Sequence, residues 1–257
     1  MTSQPSEDPE VAVPRVLSVI VSYNAPHLTA RTYEGLLANE GTHLLVLDHS
    51  STEEKIFRSP HTVDLGRDVL TFGECNDIVL TDPQFREYDY VAIWTNDTFD
   101  IAPDFMSRLL ANLMASPVPV GHVSPSIVPG GTPHGHMRRQ GSGLRPVPFI
   151  ETVAPFIRTD LLPVFERFVP TTPKGWGLDI VFSGISRALG YEVVVCDDVE
   201  IGHVVDGGTF KELGELEEHG RRAPREAAAW IGQHRLWPLA EWTSPDIAQY
   251  LRQFLAT

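Results

Sequence analysis

The sequence holds two cysteines in 257 residues, Cys75 and Cys196, too few for a disulfide framework. Reduced packing thiols and a cytoplasmic setting are therefore expected. Basic residues are scarce as well: 20 Lys and Arg against 34 Asp and Glu give a formal net charge of −14. That balance argues against a broad basic surface for nucleic acid or anionic lipid, and small molecules become the expected ligands. No long apolar run occurs. The run at 16–21, interrupted by Ser18, is far short of a transmembrane segment, and the acidic stretch 1–10 lacks the basic and apolar regions of a signal peptide. Neither G-x-G-x-x-G nor G-x-x-x-x-G-K-[ST] is present, which disfavours a dinucleotide dehydrogenase or a P-loop NTPase. There is no internal repeat.

What remains is an alternation of strand-like and helix-like segments. Residues 1–13 carry no apolar period and are expected to be a disordered lead. A β-branched run from Val16 reads as a strand covered on both faces, stopped by Asn24 and Pro26. Leu28, Tyr33, Leu36 and Leu37 give a rough helical stripe, and His43 to Leu47 is a second buried strand. A helix from Glu74 to Leu80, a strand from Tyr90 to Trp94, a helix bearing Phe105, Leu109 and Leu113, and a strand from Val120 to Val123 follow. The Gly, Pro, His and Arg stretch 128–148 is too long for an ordinary connector and is expected to be a functional or a disordered loop. Beyond it the pattern predicts a strand over 149–157, a helix over 160–168, a helix over 178–189 closed by Gly190, and a strand over 192–196. Residues 14–206 form the expected α/β domain, with a mostly parallel, mixed sheet flanked by helices, and 207–257 a C-terminal helical extension.

Such sheets bind ligands at the carboxyl ends of their strands, where this sequence places Ser22 to Asn24, Asp48 to Ser51, Asn96 with Asp97, and later Asp179 and His203. Carboxylates converging on one edge suit a nucleotide and a divalent metal, and without a glycine fingerprint a metal is left to hold the phosphate charge. Each residue also has a plainer reading. Asp48 and Asp97 suit turns, Asp179 the first turn of a helix, and His203 a packed core. His134 and His136 read as solvated loop residues, and Trp230, Trp237 and Trp242 as anchors for the C-terminal helices.

In their order along the chain, Val-Ile-Val-Ser-Tyr-Asn (19–24), Val-Leu-Asp-His-Ser-Ser-Thr (46–52), Thr-Phe-Gly-Glu-Cys-Asn (71–76), Trp-Thr-Asn-Asp-Thr (94–98) and Gly-Trp-Gly-Leu-Asp (175–179) followed by His203 resemble the family 2 glycosyltransferases with the GT-A, Rossmann-like fold. The resemblance implies that Asp48 contacts the donor base beside Ser22, Tyr23 and Asn24. It further implies that Asn76, Asn96 and Asp97 face the donor diphosphate, that Asp97 and His203 hold Mn²⁺ or Mg²⁺, and that Asp179 is the general base. Trp176 and Gly177 would shape the acceptor or sugar pocket, and Arg138 and Arg139 would close over the diphosphate or orient an anionic acceptor. Thr95 and Asn96 stand where many relatives carry acids, and the adjacent Glu-Asp pair common in the late motif is missing.

The implied reaction is inverting transfer of a sugar from a UDP-linked or dTDP-linked donor to a hydroxyl acceptor, without nucleic acid or a transmembrane segment. Homo-oligomerisation stays open. A nucleotidyltransferase of the same fold class, or an inactive nucleotide-sugar binding module, is the alternative. The first alternative wants a Gly-rich, basic loop after the first strand, and Ser22 to His27 contains none.

Overall fold

The computed structural model describes residues 12–49, 51–66, 72–163 and 177–204. Expectations for the lead, Ser50, Thr71, 164–176 with Trp176, and the C-terminal helices lie outside the described residues. The strand β1 (Val16–Ser22) is buried at every position, as its unbroken apolar run requires. It pairs in parallel with β2 (His43–Asp48) and β4 (Tyr90–Thr95), and β3 (Thr62–Asp64) adds to β2. On the other side β8 (Phe156–Arg158) lies antiparallel between β4 and β6 (Val120–Ile127). Strand β9 (Glu192–His203) runs parallel to β6 and carries β5 (Thr98–Phe99) and β7 (Leu144–Pro146), both antiparallel to it. The order is therefore β3-β2-β1-β4-β8-β6-β9-β5, a mixed sheet in which the parallel blocks β3-β2-β1-β4 and β6-β9 are joined by the antiparallel β8.

Helices cover both faces. α1 (Pro26–Leu37) and α3 (Phe105–Met114) lie on the side of a core built around Trp94, Phe105, Leu109 and Phe156. Trp94 meets Phe105 and Phe156 edge-on, with ring centroids 5.6 and 5.7 Å apart. α2 (Phe72–Thr81) and α4 (Leu178–Ala188) cover a second core containing Val79, Leu80, Phe182 and Ile185. Both cysteines are free and buried, and burial pushes the thiols up, Cys75 to about 12 and Cys196 to about 11. No helix among the described residues is long and apolar enough to cross a membrane.

Several elements differ from the pattern. Strand β6 continues to Ile127 and β9 to His203, past the predicted ends. Of the predicted 149–157 strand only Phe156 and Ile157 join a ladder, which ends at Arg158. Residues 151–155 instead run as a loop beside β4, the amides of Ile93 and Thr95 donating to the carbonyls of Pro155 (3.0 Å) and Val153 (2.9 Å). Pro155 has no amide to return, which interrupts the ladder there. The predicted 160–168 helix opens with a 3-10 turn, Thr159–Leu161, and continues as α-helix over 162–163, where the described part ends. In α1 the buried face is Thr29, Thr32 and Leu36, while Leu37 of the predicted stripe is 56% exposed.

The 128–148 stretch folds against β9 rather than standing away from it. Arg145 donates to both carboxylate oxygens of Asp197 (2.8 and 3.0 Å) and to the carbonyls of His136 (3.0 Å) and Arg138 (2.9 Å). Asp197 is 1% exposed, so removing its partner strands a buried charge. Arg145→Met is expected to cost about 3–5 kcal/mol in urea unfolding. A loss below about 1 kcal/mol, the size typical of a surface ion pair, would show that the pair is dispensable.

Candidate active site

Parallel pairing aligns Ser22 with Asp48 and Val21 with Thr95, which brings the ends of β1, β2 and β4 to one edge. Asp48 is fully buried there. Ser22 donates to its Oδ2 at 2.8 Å, while Oδ1 has no hydrogen-bond partner within geometric limits. Burial raises its pKa, and the hydroxyls of Ser51 and Ser22 act in the opposite direction. Asn24, in the left-handed region at φ 49°, clasps the neighbouring loop: its amide donates to Ser51 Oγ (2.8 Å) and its Oδ1 accepts from the Thr52 amide (3.0 Å). Tyr23 stacks on His49 at 5.2 Å, and burial holds that imidazole neutral, down to about 4. Ser22, Ser51 and the backbone at Phe57 surround the enclosed carboxylate.

The second corner forms where β5 meets β9. His203 Nδ1 lies 2.7 Å from the Gly131 carbonyl, a contact that places a ring proton on Nδ1, and Nε2 faces Asp97 Oδ1 at 3.3 Å, carrying a second proton when the ring is charged and free to ligate a cation when it is neutral. That contact is a charge contact rather than an aligned hydrogen bond, since Oδ1 is buried without a hydrogen-bond partner. Burial works against a charged imidazole, but Asp97, the Gly131 carbonyl and Glu151 outweigh it and raise the pKa. An orphaned carboxylate oxygen opposite an oriented imidazole nitrogen fits a divalent cation. Among the described residues no group of three or more His, Cys, Asp or Glu is placed to hold a metal ion, so phosphate and water would complete the coordination.

Close packing fixes this corner. A Cβ on Gly202 would sit 2.2 Å from the Phe99 ring, and Arg31 lies over that ring at 4.2 Å while pairing with Asp100 at 3.2 Å. Thr32 donates its hydroxyl toward the carbonyls of Asn96 (3.1 Å) and Thr98 (2.7 Å), and the Val204 amide donates to the Asp97 carbonyl (3.2 Å).

Asp179 lies in the first turn of α4, after Gly177 at φ 87°. Its Oδ1 accepts from the Ile180 amide at 2.9 Å, yet dense surroundings, followed by the nearby Glu151 charge, lift its pKa to about 7. The side chain as a whole keeps partial solvent contact. Glu151, absent from the sequence-derived candidates, is half-buried at the start of the loop along β4, accepts the Thr132 hydroxyl, and lies within electrostatic reach of both His203 and Asp179. The Ile150 amide donates to Ser183 on α4 at 3.1 Å, tying this loop to the helix of Asp179.

Other candidates stand apart. Asn76 uses its amide on the Phe72 carbonyl of its own helix (2.8 Å). Arg138 donates to the Thr132 carbonyl (3.2 Å), beside the Glu151 loop, whereas Arg139 is exposed and reaches only Gly141 (3.4 Å). His134 and His136 pack on Phe149 at 5.0 and 4.5 Å, a half-buried cluster rather than solvated side chains.

A mannosyltransferase from Pyrobaculum calidifontis, solved with GDP-Man and Mn²⁺, superposes with a TM-score of 0.60 at 18% identity, over 96% of this chain and 76% of the other. GalNAc-T7, solved with UDP, GalNAc and Mn²⁺, gives 0.59 at 12% identity, and this chain spans 58% of its length while being covered over 94%. The fold is GT-A. Glucosyl-3-phosphoglycerate synthase from Mycobacterium tuberculosis, solved with Mn²⁺, UDP and glucosyl-3-phosphoglycerate, agrees at 0.57 and 17% identity, over 85% and 80% of the two chains. No protein-family model matches the sequence, and neither does any curated protein. In this GT-A sheet the Asp48 and Asp97 corners occupy the carboxyl-end edge.

Proposed function

We propose that the protein is a metal-dependent, inverting glycosyltransferase that moves a sugar from a nucleoside diphosphate donor to a hydroxyl acceptor. The observation that carries this reading is the pairing of the orphaned Asp97 Oδ1 with His203 Nε2 at 3.3 Å on the sheet edge of a GT-A fold. The GT-A structures of similar fold include proteins solved with GDP-Man or UDP and with Mn²⁺, which supports the same ligand class here. A divalent cation at this corner supplies charge neutralisation for a departing nucleoside diphosphate. Asp97 and His203 would hold it, and an imidazole in the set favours Mn²⁺ over Mg²⁺.

The chain's own groups divide the remaining work. Asp48, with Oδ1 unpaired and buried, matches an N–H donor on a base edge. Asp179, poised near neutrality, accepts the proton of the acceptor hydroxyl at its carboxylate. A base acting from the face opposite the leaving group gives in-line displacement and inversion at the anomeric carbon. Trp176 and Gly177 would border the sugar, and Arg138 an anionic part of donor or acceptor.

A thermal-shift panel of UDP, GDP and dTDP, each with and without Mn²⁺, tests the reading. One nucleotide is expected to stabilise the protein only when Mn²⁺ is present, by about 2.7 kcal/mol at a ligand concentration of roughly 100 Kd. No stabilisation by any of them would refute the donor assignment. Hydrolysis of the matching nucleotide-sugar would then separate an enzyme from a binding module.

A further inference from the structure

We propose that Thr29 and Ser22 are positioning residues that join the two ends of the donor pocket through a buried, one-directional chain of hydrogen bonds. The inference deepens the glycosyltransferase reading and rests on it. Asn96 Nδ2 lies 3.3 Å from Thr29 Oγ1, Thr29 Oγ1 lies 3.0 Å from Ser22 Oγ, and Ser22 Oγ donates to Asp48 Oδ2 at 2.8 Å. Ser22, Thr29 and Asp48 are 0% exposed and Asn96 is 7% exposed, so bulk water has no access to replace a missing link.

Proton counting fixes the direction. Each hydroxyl has one hydrogen, and that of Ser22 is committed to the Asp48 carboxylate, which has none to give. The Ser22 to Thr29 contact must therefore be closed by the Thr29 hydrogen. Thr29 Oγ1 also donates toward the Ala25 carbonyl at 3.1 Å, an oxygen that already accepts the Leu28 and Thr29 amides at 3.1 and 3.0 Å, so its one hydrogen is shared between Ser22 and Ala25. Having given its hydrogen away, Thr29 Oγ1 accepts only, so Asn96 must present its NH₂ group to it. The carbonyl end of the Asn96 amide is thereby turned away from Thr29. Recognition at Asp48 and orientation of the Asn96 amide are set by one chain, although neither hydroxyl needs to touch the donor.

Calorimetric titration in Mn²⁺ with uridine or guanosine, with inorganic pyrophosphate, and with UDP or GDP separates the two ends. Thr29→Val, which keeps the shape and deletes the hydroxyl, is expected to weaken pyrophosphate binding about tenfold. Ser22→Ala should do the same, although Ser22 bonds Asp48 and not Asn96, and the double variant should lose no more than either single one. Thr29→Ser should restore binding, a rescue that loss of packing alone would not give. The chain is overturned if folded Ser22→Ala protein loses only nucleoside binding, if Thr29→Val binds pyrophosphate as well as the wild type does, or if Thr29→Ser does not rescue. Should Thr29→Val fail to fold, Ser22→Ala and Thr29→Ser still decide the matter. If the wild type binds none of the probes with Mn²⁺, the donor-pocket reading fails and takes the chain with it. Wild-type binding that the variants share equally removes the chain alone.

Discussion

Asp179→Asn is expected to lower sugar transfer by about 10²–10⁴-fold, the usual contribution of a general base, and at the same time to stabilise the protein at pH 8. The folded protein raises this carboxyl from 3.8 to about 7, chiefly through burial. A raised folded-state pKa contributes stability that is fully present below the unfolded value and is lost as pH rises through about 7. Above neutrality the wild type therefore carries an unfavourably placed charge. At about 1.4 kcal/mol per pKa unit the shift corresponds to some 4 kcal/mol, and partial solvent contact screens this to about 2 kcal/mol. The amide variant should melt roughly 5 °C higher at pH 8 and close to the wild type at pH 4. Unchanged transfer together with equal melting at both pH values would reduce Asp179 to an ordinary first-turn acid.

Asp97→Asn should abolish Mn²⁺-dependent nucleotide binding, with a loss of at least about 100-fold, and lower turnover by about 10³-fold or more, a value set by the several kcal/mol of transition-state charge a metal stabilises. The fold should be nearly indifferent without metal. Asp97 Oδ1 makes no hydrogen bond, and the bond from the Val204 amide uses the backbone carbonyl, which the substitution keeps. The His203 imidazole reports the change independently. Asp97 helps to raise its pKa above 6.5, so the stability linked to that charge is present below 6.5 and fades as pH rises through the higher folded value. In Asp97→Asn the imidazole should titrate lower by NMR, and the small stability gap to the wild type should close on the alkaline side. Retained Mn²⁺ affinity in this variant would place the metal elsewhere.

The sheet was legible because β1, β2 and β4 are buried on both faces and show it as unbroken apolar runs. The strand-end acids were legible for the same reason, since parallel pairing dictates where Asp48 and Asp97 must emerge. Three features were not. The inward face of α1 sets two threonines beside Leu36, which an apolar stripe cannot reveal, because their burial is compensated by hydroxyl bonds to Asn96, Thr98 and Ser22. β9 jumps register against β6 between Cys196 and Glu200, so its second half, carrying His203, follows a break that looks like a strand end. Glu151 sits in an apolar context whose run suggests a strand, and only the loop interrupted at Pro155 places it between His203 and Asp179. An acid within an apolar segment was its one visible signal.

The contact between Gly202 and the Phe99 ring bears on how this fold can vary among its relatives. With the ring occupying the volume that any side chain at 202 would need, neither position is free to drift alone. A bulkier residue at 202 demands a smaller one at 99, and the exchange also uncovers the guanidinium of Arg31. Sites 31, 99 and 202 are thus expected to change together, with 202 one residue away from the imidazole, and a joint substitution pattern there would mark lineages in which the metal corner has been rebuilt.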